Sequence, residues 1–255
     1  MHALVTGASA GIGEAIAKQL AGAGYDITLV ARRAAELERV AQELPDTVTA
    51  RCQVADLSAL DSLAELVDDA EEALGPIDVL VNNAGIQVVG PTHEIPVQDG
   101  ERMLTVNVLA PLRLTLLVLP RMRSRGKGTI VDISSLAGLA PTLGMVHYSA
   151  SKAALAAASE ALRAEVAPAG VHVVTVYPGP VSTNMANAAV DRYAKDPTRL
   201  MPVGNPTQLA QRVLSAIERR KARVIYPRPY AAARYFPALT RWIMDRFSPR
   251  PTSLN

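Results

Sequence analysis

The stretch Thr6-Gly7-Ala8-Ser9-Ala10-Gly11-Ile12-Gly13 follows at once on the apolar segment His2-Ala3-Leu4-Val5 and precedes a run with helical periodicity. A strand, a glycine-rich turn and a helix in direct succession predict the first unit of a parallel α/β fold. Glycines allow a tight turn and a close approach of the backbone to a ligand, and the helix N-terminus offers N–H donors to a phosphate group. The alternative is a plain strand-to-helix turn, and the rest of the chain decides between the two.

The alternation of strand-like and helical segments continues to about residue 226. It predicts a single-domain, doubly wound parallel sheet of about seven strands with helices on both faces, the Rossmann-type α/β arrangement. A long helical region is expected over about 97–123 and an Ala-rich helix over about 148–166. Residues 184–205 show no clear period and are expected to form a substrate loop, with a mobile surface loop as the alternative. Residues 227–255 are expected to form a helical C-terminal extension to the domain of residues 1–226.

Composition restricts the class of protein. The chain has 255 residues, 49% of them hydrophobic, which suffices for one domain with a substantial core. A formal net charge of +2 gives no overall electrostatic reason to expect nucleic acid binding. The single cysteine, Cys52, rules out an intramolecular disulfide. No apolar run approaches the roughly 20 residues of a membrane span, and no basic segment of a secretory signal precedes the first strand, so a cytoplasmic location is expected.

The segment Tyr148-Ser149-Ala150-Ser151-Lys152 carries the clearest chemical signal. Residues four apart share one face of a helix, so Lys152 is expected to place its ammonium near the phenol of Tyr148. A neighbouring cation favours the phenolate and would lower the pKa of Tyr148 from its reference value of about 10. Ser135, thirteen positions upstream, would add a hydrogen-bond donor. Taken singly, each of these residues is more typical of packing, of a turn or of a solvated surface.

Several further motifs appear in a fixed order along the chain: Asp56-Leu57, Asn82-Asn83-Ala84-Gly85, Asn107, Ser135, the Tyr148/Lys152 pair, and Pro178-Gly179 followed by Thr183. Together with Thr-Gly-x3-Gly-x-Gly at residues 6–13, this order and spacing resemble the short-chain dehydrogenase/reductase (SDR) family over roughly residues 1–226. The resemblance implies an oxidoreductase that interconverts a ketone or aldehyde and an alcohol. A dinucleotide-sensing or scaffold protein on the same fold is the alternative from another class, because a fold does not fix a function.

The resemblance also implies roles for individual residues. Tyr148 would be the general acid/base, Ser135 would hydrogen-bond the substrate oxygen, and Lys152 would hold the nicotinamide ribose. Asn107 would position a water molecule, and Ser134 is the second choice for the serine. Asn82 is expected to tie neighbouring strands together. The dinucleotide contacts implied are Gly7, Ser9, Gly11, Ile12, Gly13, Arg32, Arg33, Asp56, Leu57, Asn83, Ala84, Gly85, Tyr148, Lys152, Pro178, Gly179, Val181 and Thr183.

The end of the second strand indicates which dinucleotide is bound. A carboxylate there suits the free ribose hydroxyls of NAD, whereas a guanidinium suits the 2′-phosphate of NADP. This chain has Ala31 followed by Arg32 and Arg33, and arginine binds phosphate in a planar, bidentate way. NADP(H) is therefore expected in preference to NAD(H), with Arg32 as the main contact, Arg33 as the second and Ser9 in support. Ala10 argues for a modest preference, because NADP-binding relatives often carry a basic residue there.

No metal site is expected, because the four histidines have no ligand spacing to Cys52 or to one another, and no Gly-x-Ser-x-Gly elbow indicates a hydrolase. The substrate pocket is expected to be apolar and to suit a hydrophobic carbonyl compound. Its lining is expected from Ile86, Gln87 and Val88, from the segment 136–146 and from the loop after Val181, with Leu139, Leu143, Met145, Val146 and Met185 as the apolar members. His147 is assigned to the pocket or to packing. Reduction of a carrier-bound ketoacyl group is a further alternative, with Arg121, Arg123, Arg125 and Lys127 as a docking patch.

Two surfaces indicate partners. The Ala-rich helix allows close helix packing, and in the family it forms, with the long helix before it, a dimer or tetramer interface. The second is the C-terminal end of the chain: residues 204–255 hold ten Lys/Arg and two Asp/Glu, and residues 227–255 contain five of the chain's ten aromatic residues. Such a basic, aromatic segment can cover the substrate loop, pack on a partner subunit, lie on an anionic membrane surface or remain unattached. All four alternatives stay open.

Overall fold

The computed structural model describes residues 1–194 and 202–254. In this part of the chain, seven strands form one parallel sheet: β1 (His2–Thr6), β2 (Asp26–Ala31), β3 (Ala50–Val54), β4 (Ile77–Asn82), β5 (Gly128–Ile133), β6 (Val171–Pro178) and β7 (Arg223–Tyr226). Their spatial order is β3-β2-β1-β4-β5-β6-β7, and every pairing is parallel. The predicted doubly wound sheet of about seven strands is confirmed.

The helices between the strands are α1 (Gly11–Gly22), α2 (Ala34–Gln42), α3 (Leu63–Leu74), α4 (Val97–Leu104), α5 (Ala110–Ser124), α6 (Val146–Val166), α7 (Asn184–Val190) and α8 (Pro206–Glu218). After β7 follow a 3-10 turn (Arg228–Ala231), α9 (Ala232–Tyr235) and α10 (Pro237–Phe247). The C-terminal extension therefore contains the helix expected there.

Alternation of side chains along the strands builds a core on each face of the sheet. In β4, Val79 and Val81 belong to the cluster that α1, α2 and α8 cover, whereas Leu80 between them belongs to the cluster under α3 and α5. This is the period of two that a strand imposes. Because both faces are covered, the strands read as continuous apolar runs, and all eight residues of β6 are buried.

The long helical region expected over 97–123 is interrupted. A π-helical turn, Thr105–Leu109, separates α4 from α5. A π turn inserts one residue into the helical repeat and shifts the side chains after it around the axis.

Residues 97–124 taken together are long and apolar enough to span a membrane, by length and composition alone. This differs from the expectation that no segment is. Half of the most apolar 18 residues are buried in the protein, and α5 packs against α3 and β4.

Part of the segment 184–205 is also regular, which corrects the expectation of a loop without a period. Thr183 caps α7, since its hydroxyl oxygen accepts a hydrogen bond from the amide of Ala186 at 3.2 Å. With seven residues, α7 is too short for its period to be recognised in the sequence. The remainder of this prediction, residues 195–201, lies outside the described part of the chain.

Candidate active site

The carboxyl ends of the strands open into one cavity of about 1170 Å³. It is lined by seventeen of the eighteen residues predicted for the dinucleotide, all except Gly13, and by Ser135. The predicted residues that line it are Gly7, Ser9, Gly11, Ile12, Arg32, Arg33, Asp56, Leu57, Asn83, Ala84, Gly85, Ser135, Tyr148, Lys152, Pro178, Gly179, Val181 and Thr183. Gly13 and Asn107 lie behind its wall. The structure thus brings the predicted residues together at one place.

The glycine-rich turn has the geometry that its sequence requires. Gly7 and Gly11 have positive φ angles of 66° and 62°, a region that favours glycine. At Gly13, a Cβ atom would lie 2.2 Å from the carbonyl oxygen of Gly7, so only glycine lets α1 approach the turn this closely. Gly13 therefore shapes the turn from behind, and Gly7 and residues 9–12 face the cavity.

Thr6 holds this turn against the end of β4, a role that the sequence reasoning missed. Its hydroxyl donates to the carbonyl of Val81 at 3.1 Å and accepts hydrogen bonds from the amides of Asn83 and Ala84, both at 3.0 Å. The side-chain amide of Asn83 donates in turn to the carbonyl of Thr6 at 2.9 Å. The threonine that opens the glycine motif was the available signal.

The arginines after β2 stand at the same cavity, on the other side of the turn. Nη2 of Arg33 donates to the hydroxyl of Ser9 at 3.0 Å, which joins the end of β2 to the glycine-rich turn. Arg32 and Arg33 are both exposed, whereas the nearby Arg39 is taken up by ion pairs with acidic side chains of α1 and α2. Two guanidinium groups and one hydroxyl therefore face the position where the sequence predicts a ribose substituent.

Asp56 and Leu57 form the neighbouring wall. The carboxylate of Asp56 accepts hydrogen bonds from the amide and the hydroxyl of Ser58 at 2.9 and 2.8 Å. These bonds, with the positive charges of Arg102 and Arg32 nearby, hold the pKa of Asp56 below its usual range. Leu57 is buried. The segment after β3 thus presents one apolar side chain, Leu57, and one charged carboxylate, Asp56, at the cavity.

Tyr148 and Lys152 lie one turn apart on α6, as their spacing predicts. Nζ of Lys152 is 6.0 Å from the centre of the Tyr148 ring and donates to the carbonyl of Ile133 at 2.8 Å. Burial lowers the pKa of Lys152 to about 8, against an opposing effect of the Asp132 carboxylate. The ammonium is therefore held at the end of β5, behind the phenol.

The expected depression of the Tyr148 pKa is wrong for the chain without ligands. Burial raises the pKa of Tyr148, and hydrogen bonding to the Ser135 side chain opposes this effect only in part. The sequence argument counted the attraction between the phenolate and Lys152 but not the loss of hydration at the bottom of the cavity. Tyr148 is consequently a protonated phenol at neutral pH.

The two adjacent serines have different surroundings. The hydroxyl of Ser134 donates to the carbonyl of Lys152 at 2.7 Å, and its amide bonds to β6, so this side chain is fully used in packing α6 on the sheet. The Ser135 hydroxyl accepts a hydrogen bond from the amide of Ala137 at 3.1 Å and keeps its proton for another acceptor. This geometry favours Ser135 over Ser134 as the donor.

Asn107 sits in the π-helical turn and is fully buried. Its side chain bonds to both backbone groups of Ile86, accepting from the amide at 2.8 Å and donating to the carbonyl at 2.9 Å. It also donates to the hydroxyl of Ser151 at 3.0 Å. Asn107 thus joins the segment after β4 to α6. Its expected role in positioning water stays a prediction.

Two further predictions concern packing. The amide of Asn82 donates to Asp132 at 2.8 Å and to Thr115 at 3.2 Å, so it ties β4 to β5 and to α5, as expected. His147 packs on α4, where its Nε2 would lie 2.6 Å from a Cβ atom at Gly100. His147 is therefore a packing residue and not part of the pocket.

The apolar end of the cavity differs in part from the expected lining. Ile86, Gln87, Met145 and Met185 line it, whereas Val88, Leu139, Leu143 and Val146 do not. Val88 was chosen because it follows β4, and Leu139, Leu143 and Val146 because they lie between Ser135 and Tyr148. Position in a loop does not determine the direction of a side chain. Their place is taken by Tyr193 of the segment after α7 and by residues of the C-terminal extension, Ile243, Met244, Phe247, Ser248 and Pro249.

Comparisons with known proteins show the family of the chain. Residues 1–194 match the sequence profile described as short chain dehydrogenase. The chain is 34% identical over 261 residues to "Dehydrogenase/reductase SDR family protein 7-like" from Drosophila melanogaster, covering 95% of this chain and 79% of that protein. It is 35% identical over 223 residues to "Ketoacyl reductase HetN" from Nostoc sp., covering 87% and 77%.

Solved structures show the same relationship in three dimensions. The structure titled "Short-chain dehydrogenase from Sphingobium yanoikuyae in complex with NADPH" is 33% identical to this chain and has a TM-score of 0.82. The superposition covers 96% of this chain and 95% of the other. The matching profile, the level of identity and the shared fold extend over most of the molecule. The protein therefore belongs to the short-chain dehydrogenase/reductase family and is an oxidoreductase.

Proposed function

We propose that this protein is an NADP(H)-dependent oxidoreductase that interconverts a ketone or aldehyde and an alcohol on a hydrophobic substrate. The observation that carries this proposal is the position of Tyr148, Ser135 and Lys152. They stand between a glycine-rich cradle with two arginines and an apolar end of the same cavity. A dinucleotide at one end and an apolar substrate at the other would meet at the Tyr148 hydroxyl.

The residues present fit a nicotinamide dinucleotide. A Cβ atom at Gly7 would come within 2.8 Å of the Asn83 amide, and one at Gly11 within 3.2 Å of Thr183, so side chains are excluded from the floor of the cradle. The N-terminus of α1 points into this space and supplies N–H donors for a pyrophosphate. Thr183, Pro178 and Gly179 border the opposite end, where the nicotinamide would lie.

The chain's own groups suit the proton transfer. When bound, the nicotinamide supplies or accepts the hydride. Negative charge then develops on the substrate oxygen during reduction, and Ser135 and Tyr148 are placed to donate hydrogen bonds to it. The raised pKa of Tyr148 keeps the phenol protonated, which is the state needed by a proton donor. The ammonium of Lys152 lies close enough to stabilise the phenolate that remains.

The preference for NADP(H) rests on the end of β2. Arg33, anchored to Ser9, and the exposed Arg32 offer guanidinium groups where the NAD-binding pattern would have a carboxylate. The relative from Sphingobium yanoikuyae is described as a complex with NADPH, which supports the same preference here. Because Arg33 makes the bond to Ser9, we assign it a contribution at least equal to that of Arg32.

The substrate class follows from the apolar end of the cavity. Ile86, Met145, Met185, Ile243 and Phe247 surround the space beyond Tyr148. Such a lining stabilises an alkyl chain or ring next to the carbonyl through burial of apolar surface. The name of the Nostoc relative, a ketoacyl reductase, supports a ketoacyl substrate as one member of this class.

The alternative of a carrier-bound ketoacyl group loses its expected docking patch. Arg121 forms ion pairs with Asp68 and Glu71, and Lys127 lies 3.3 Å from Asp78. Arg125 donates to the carbonyl of Ile77. Two of the four cations are thus paired with carboxylates and a third is held by a backbone carbonyl, so the cluster offers less attraction to an acidic carrier than its sequence suggests. A ketoacyl group on a small thiol or on coenzyme A fits the observations better.

The experiment that tests the function measures consumption of NADPH and of NADH against a panel of hydrophobic ketones, aldehydes and 3-ketoacyl thioesters. Tyr148→Phe is measured in parallel. Turnover with NADPH that disappears in the variant is the expected result. Binding of the dinucleotide without turnover on any panel member would favour the sensor alternative instead. Faster turnover with NADH would overturn the assignment of the cofactor.

Assembly and location complete the proposal. Leu104, Leu109 and Leu116 are exposed along α4 and α5, and the Ala-rich α6 lies beside them. We propose that these helices pack against a second copy to give a homodimer or homotetramer, in a protein located in the cytoplasm. Light scattering behind size exclusion would report the mass, and a monomer at micromolar concentration would contradict the assembly.

A further inference from the structure

Helix α10 and the residues before it present an apolar surface to solvent. Six large side chains recur at helical spacing: Tyr235, Phe236, Leu239, Trp242, Ile243 and Phe247, called here the tail face. Their exposed fractions run from 43% for Ile243 to 72% for Tyr235, and no residue of α10 is buried. Trp242 and Phe247 pack edge to face with ring centres 6.1 Å apart. So large a group of exposed aromatic and aliphatic side chains indicates an interaction surface.

The tail face is fixed in position, because the residues after α10 are tied to the core. The amide of Thr252 donates to the carbonyl of Arg192 at 2.8 Å, and the amide of Leu254 donates to Glu94 at 2.6 Å. Arg241 donates to the carbonyl of Pro141 at 3.1 Å. These contacts join α10 and the residues after it to three separate segments of the core, so α10, which lines the cavity with Ile243 and Phe247, is held in place rather than free in solution.

The tail face is also continuous with the substrate end of the cavity. Ile243 and Phe247 belong to both: each is exposed on the surface, and each lines the cavity. Met185 of α7 lines the same cavity and is 44% exposed. An apolar molecule can therefore pass from the tail face to the neighbourhood of Tyr148 along apolar side chains.

The charge around the tail face is positive. Residues 228–254 hold five arginines and one acidic residue, Asp245. Arg241 pairs with Asp245, and Arg234 lies 3.6 Å from Glu160. Arg246 and Arg250 are exposed, and neither has an ion-pair partner in residues 1–194 and 202–254. A helix with aromatic and aliphatic residues on one side and unpaired arginines beside them is suited to an anionic lipid surface.

We propose that the tail face docks the protein on an anionic phospholipid bilayer, with the mouth of the substrate cavity at the level of the acyl chains. The side chains of Trp242, Phe247 and Leu239 enter the interface, and Arg246 and Arg250 lie at the phosphates. A hydrophobic carbonyl substrate then enters from the lipid and need not cross water. The route of the substrate rests on the function proposed above, whereas the docking itself does not.

A second copy of the chain is the other occupant to consider for the tail face. A two-fold interface places the same patch of both subunits together. It would bring Arg246 and Arg250 of one subunit close to those of the other, with Asp245 already paired to Arg241. Like charges brought together in this way oppose association. The charge of the surface therefore favours lipid over a second copy.

The chain itself carries the probe for the test, because Trp242 is its only tryptophan. The intact protein is mixed with vesicles of phosphatidylglycerol and phosphatidylcholine, and with vesicles of phosphatidylcholine alone, at low salt. We expect the Trp242 emission to shift to shorter wavelength with the anionic vesicles only, and the shift to decrease as salt is added. Quenching by brominated lipid would place the indole within the acyl region.

Variants separate the apolar and the electrostatic contributions. Phe236→Gln with Leu239→Gln, which leaves the probe in place, is expected to weaken vesicle binding roughly tenfold or more. Arg246→Gln is expected to weaken it roughly fivefold. Val54→Gln is the matched control, since Val54 is 61% exposed at the end of β3, outside both the tail face and the helices proposed for the subunit interface, and it should bind as the wild type does.

Each contrary outcome is distinct. Absence of an emission shift with anionic vesicles at low salt overturns the docking. A shift that appears without lipid as protein concentration rises, together with a doubled mass, assigns the tail face to a second copy instead. Turnover of a water-soluble ketone is measured on the same preparation. Turnover without vesicle binding leaves the proposed function intact, whereas vesicle binding without turnover on any substrate removes the function and keeps the docking.

Discussion

Strand β6 and helix α10 are both rich in apolar residues, yet all eight residues of β6 are buried and none of the eleven residues of α10 is. Strand β6 lies inside the sheet, between β5 and β7, and its carboxyl end delivers Pro178 and Gly179 to the dinucleotide cradle. Helix α10 lies at the mouth of the cavity and delivers Ile243 and Phe247 to its apolar end. The apolar residues of β6 therefore stabilise the core, whereas those of α10 are available for contact with other molecules.

The two regions divide the proposed reaction between them. The sheet and its loops hold the groups that touch the reacting atoms, whereas the C-terminal extension shapes the space for the rest of the substrate. If this division is real, changes in the core should affect turnover of every substrate. Changes in the extension should affect substrates according to their size.

The largest effect is expected from the core at Tyr148. Tyr148→Phe removes the proton donor and leaves the ring in place, so kcat/KM should fall roughly 10²- to 10⁴-fold for large and small substrates alike. Dinucleotide affinity, measured by fluorescence titration of NADPH, should change little. Loss of both affinity and turnover would instead indicate a damaged fold, and turnover close to the wild-type value would exclude Tyr148 as the acid.

The next effect is expected at the dinucleotide end. Arg33→Ala removes a charge-assisted hydrogen bond to a 2′-phosphate, worth about 1.5–3 kcal/mol, so KM for NADPH should rise roughly 10- to 100-fold. KM for NADH should stay nearly constant. Arg123→Ala, at an exposed arginine near the end of α5, is the matched control. Equal losses for both dinucleotides would show that Arg33 acts on the turn and not on the phosphate.

The extension gives a smaller and more selective effect. Phe247→Ala removes apolar surface from the cavity and should weaken the binding of a bulky ketone by about 1 kcal/mol. KM for that ketone should therefore rise roughly fivefold, while KM for acetone hardly changes. Leu239→Ala is the control, because Leu239 belongs to α10 but does not line the cavity. Both assays are run without lipid. An equal effect on small and bulky ketones would contradict the division between the regions.

Glu94 links the two regions and gives a pH-dependent effect. Hydrogen bonds from the Leu254 amide and the Ser253 hydroxyl hold the pKa of Glu94 below its usual value. A depressed carboxyl pKa contributes stability above the ordinary pKa, and this contribution is lost as the pH falls through the depressed value. Limited proteolysis should therefore release the C-terminal residues faster in acid, and Glu94→Gln should do so at neutral pH. Glu101→Gln, exposed on α4, should behave as wild type.

The smallest effect is expected deep in the core, at Asp132. Burial raises the pKa of this carboxyl, so its ionisation opposes folding as the pH rises above its ordinary pKa of about 4. Asp132→Asn keeps an oxygen for the Asn82 amide and removes the charge, which should raise the free energy of unfolding at pH 7 by about 1 kcal/mol. Denaturant titrations at pH 7 and pH 4 should show the gain only at the higher pH. A loss at both values would mean that the carboxylate supports the fold.

The core was largely predictable from the sequence, and the reason is local. The period-two strands, the glycine turn and the i, i+4 pair on α6 each depend on residues close together in the chain. A fixed fold then brings the ends of the strands to one place. Even Asn82, whose partners are 33 and 50 residues away, was predictable because its position at the end of β4 is set by the sheet.

The features that the sequence did not reveal depend on contacts between distant segments. The π turn at Thr105–Leu109 has no signature in its own sequence, and the bonds of Asn107 to Ile86 that accompany it join segments 21 residues apart. The pKa of Tyr148 depends on burial by several segments. The covering of the pocket by Ile243 and Phe247 depends on where the extension crosses the core, which no local pattern specifies.

Two glycines of the core make room for the C-terminal residues. A Cβ atom at Gly90 would lie 2.8 Å from the side chain of Leu254, and one at Gly144, where φ is +77°, would lie 2.8 Å from Pro251. These two positions are therefore adapted to close packing by the C-terminal segment. Anyone who transplants residues 227–254 onto a homologous scaffold to alter its substrate range should install glycine at both receiving positions. The extension can be transferred to another protein only together with the two glycines that it packs against.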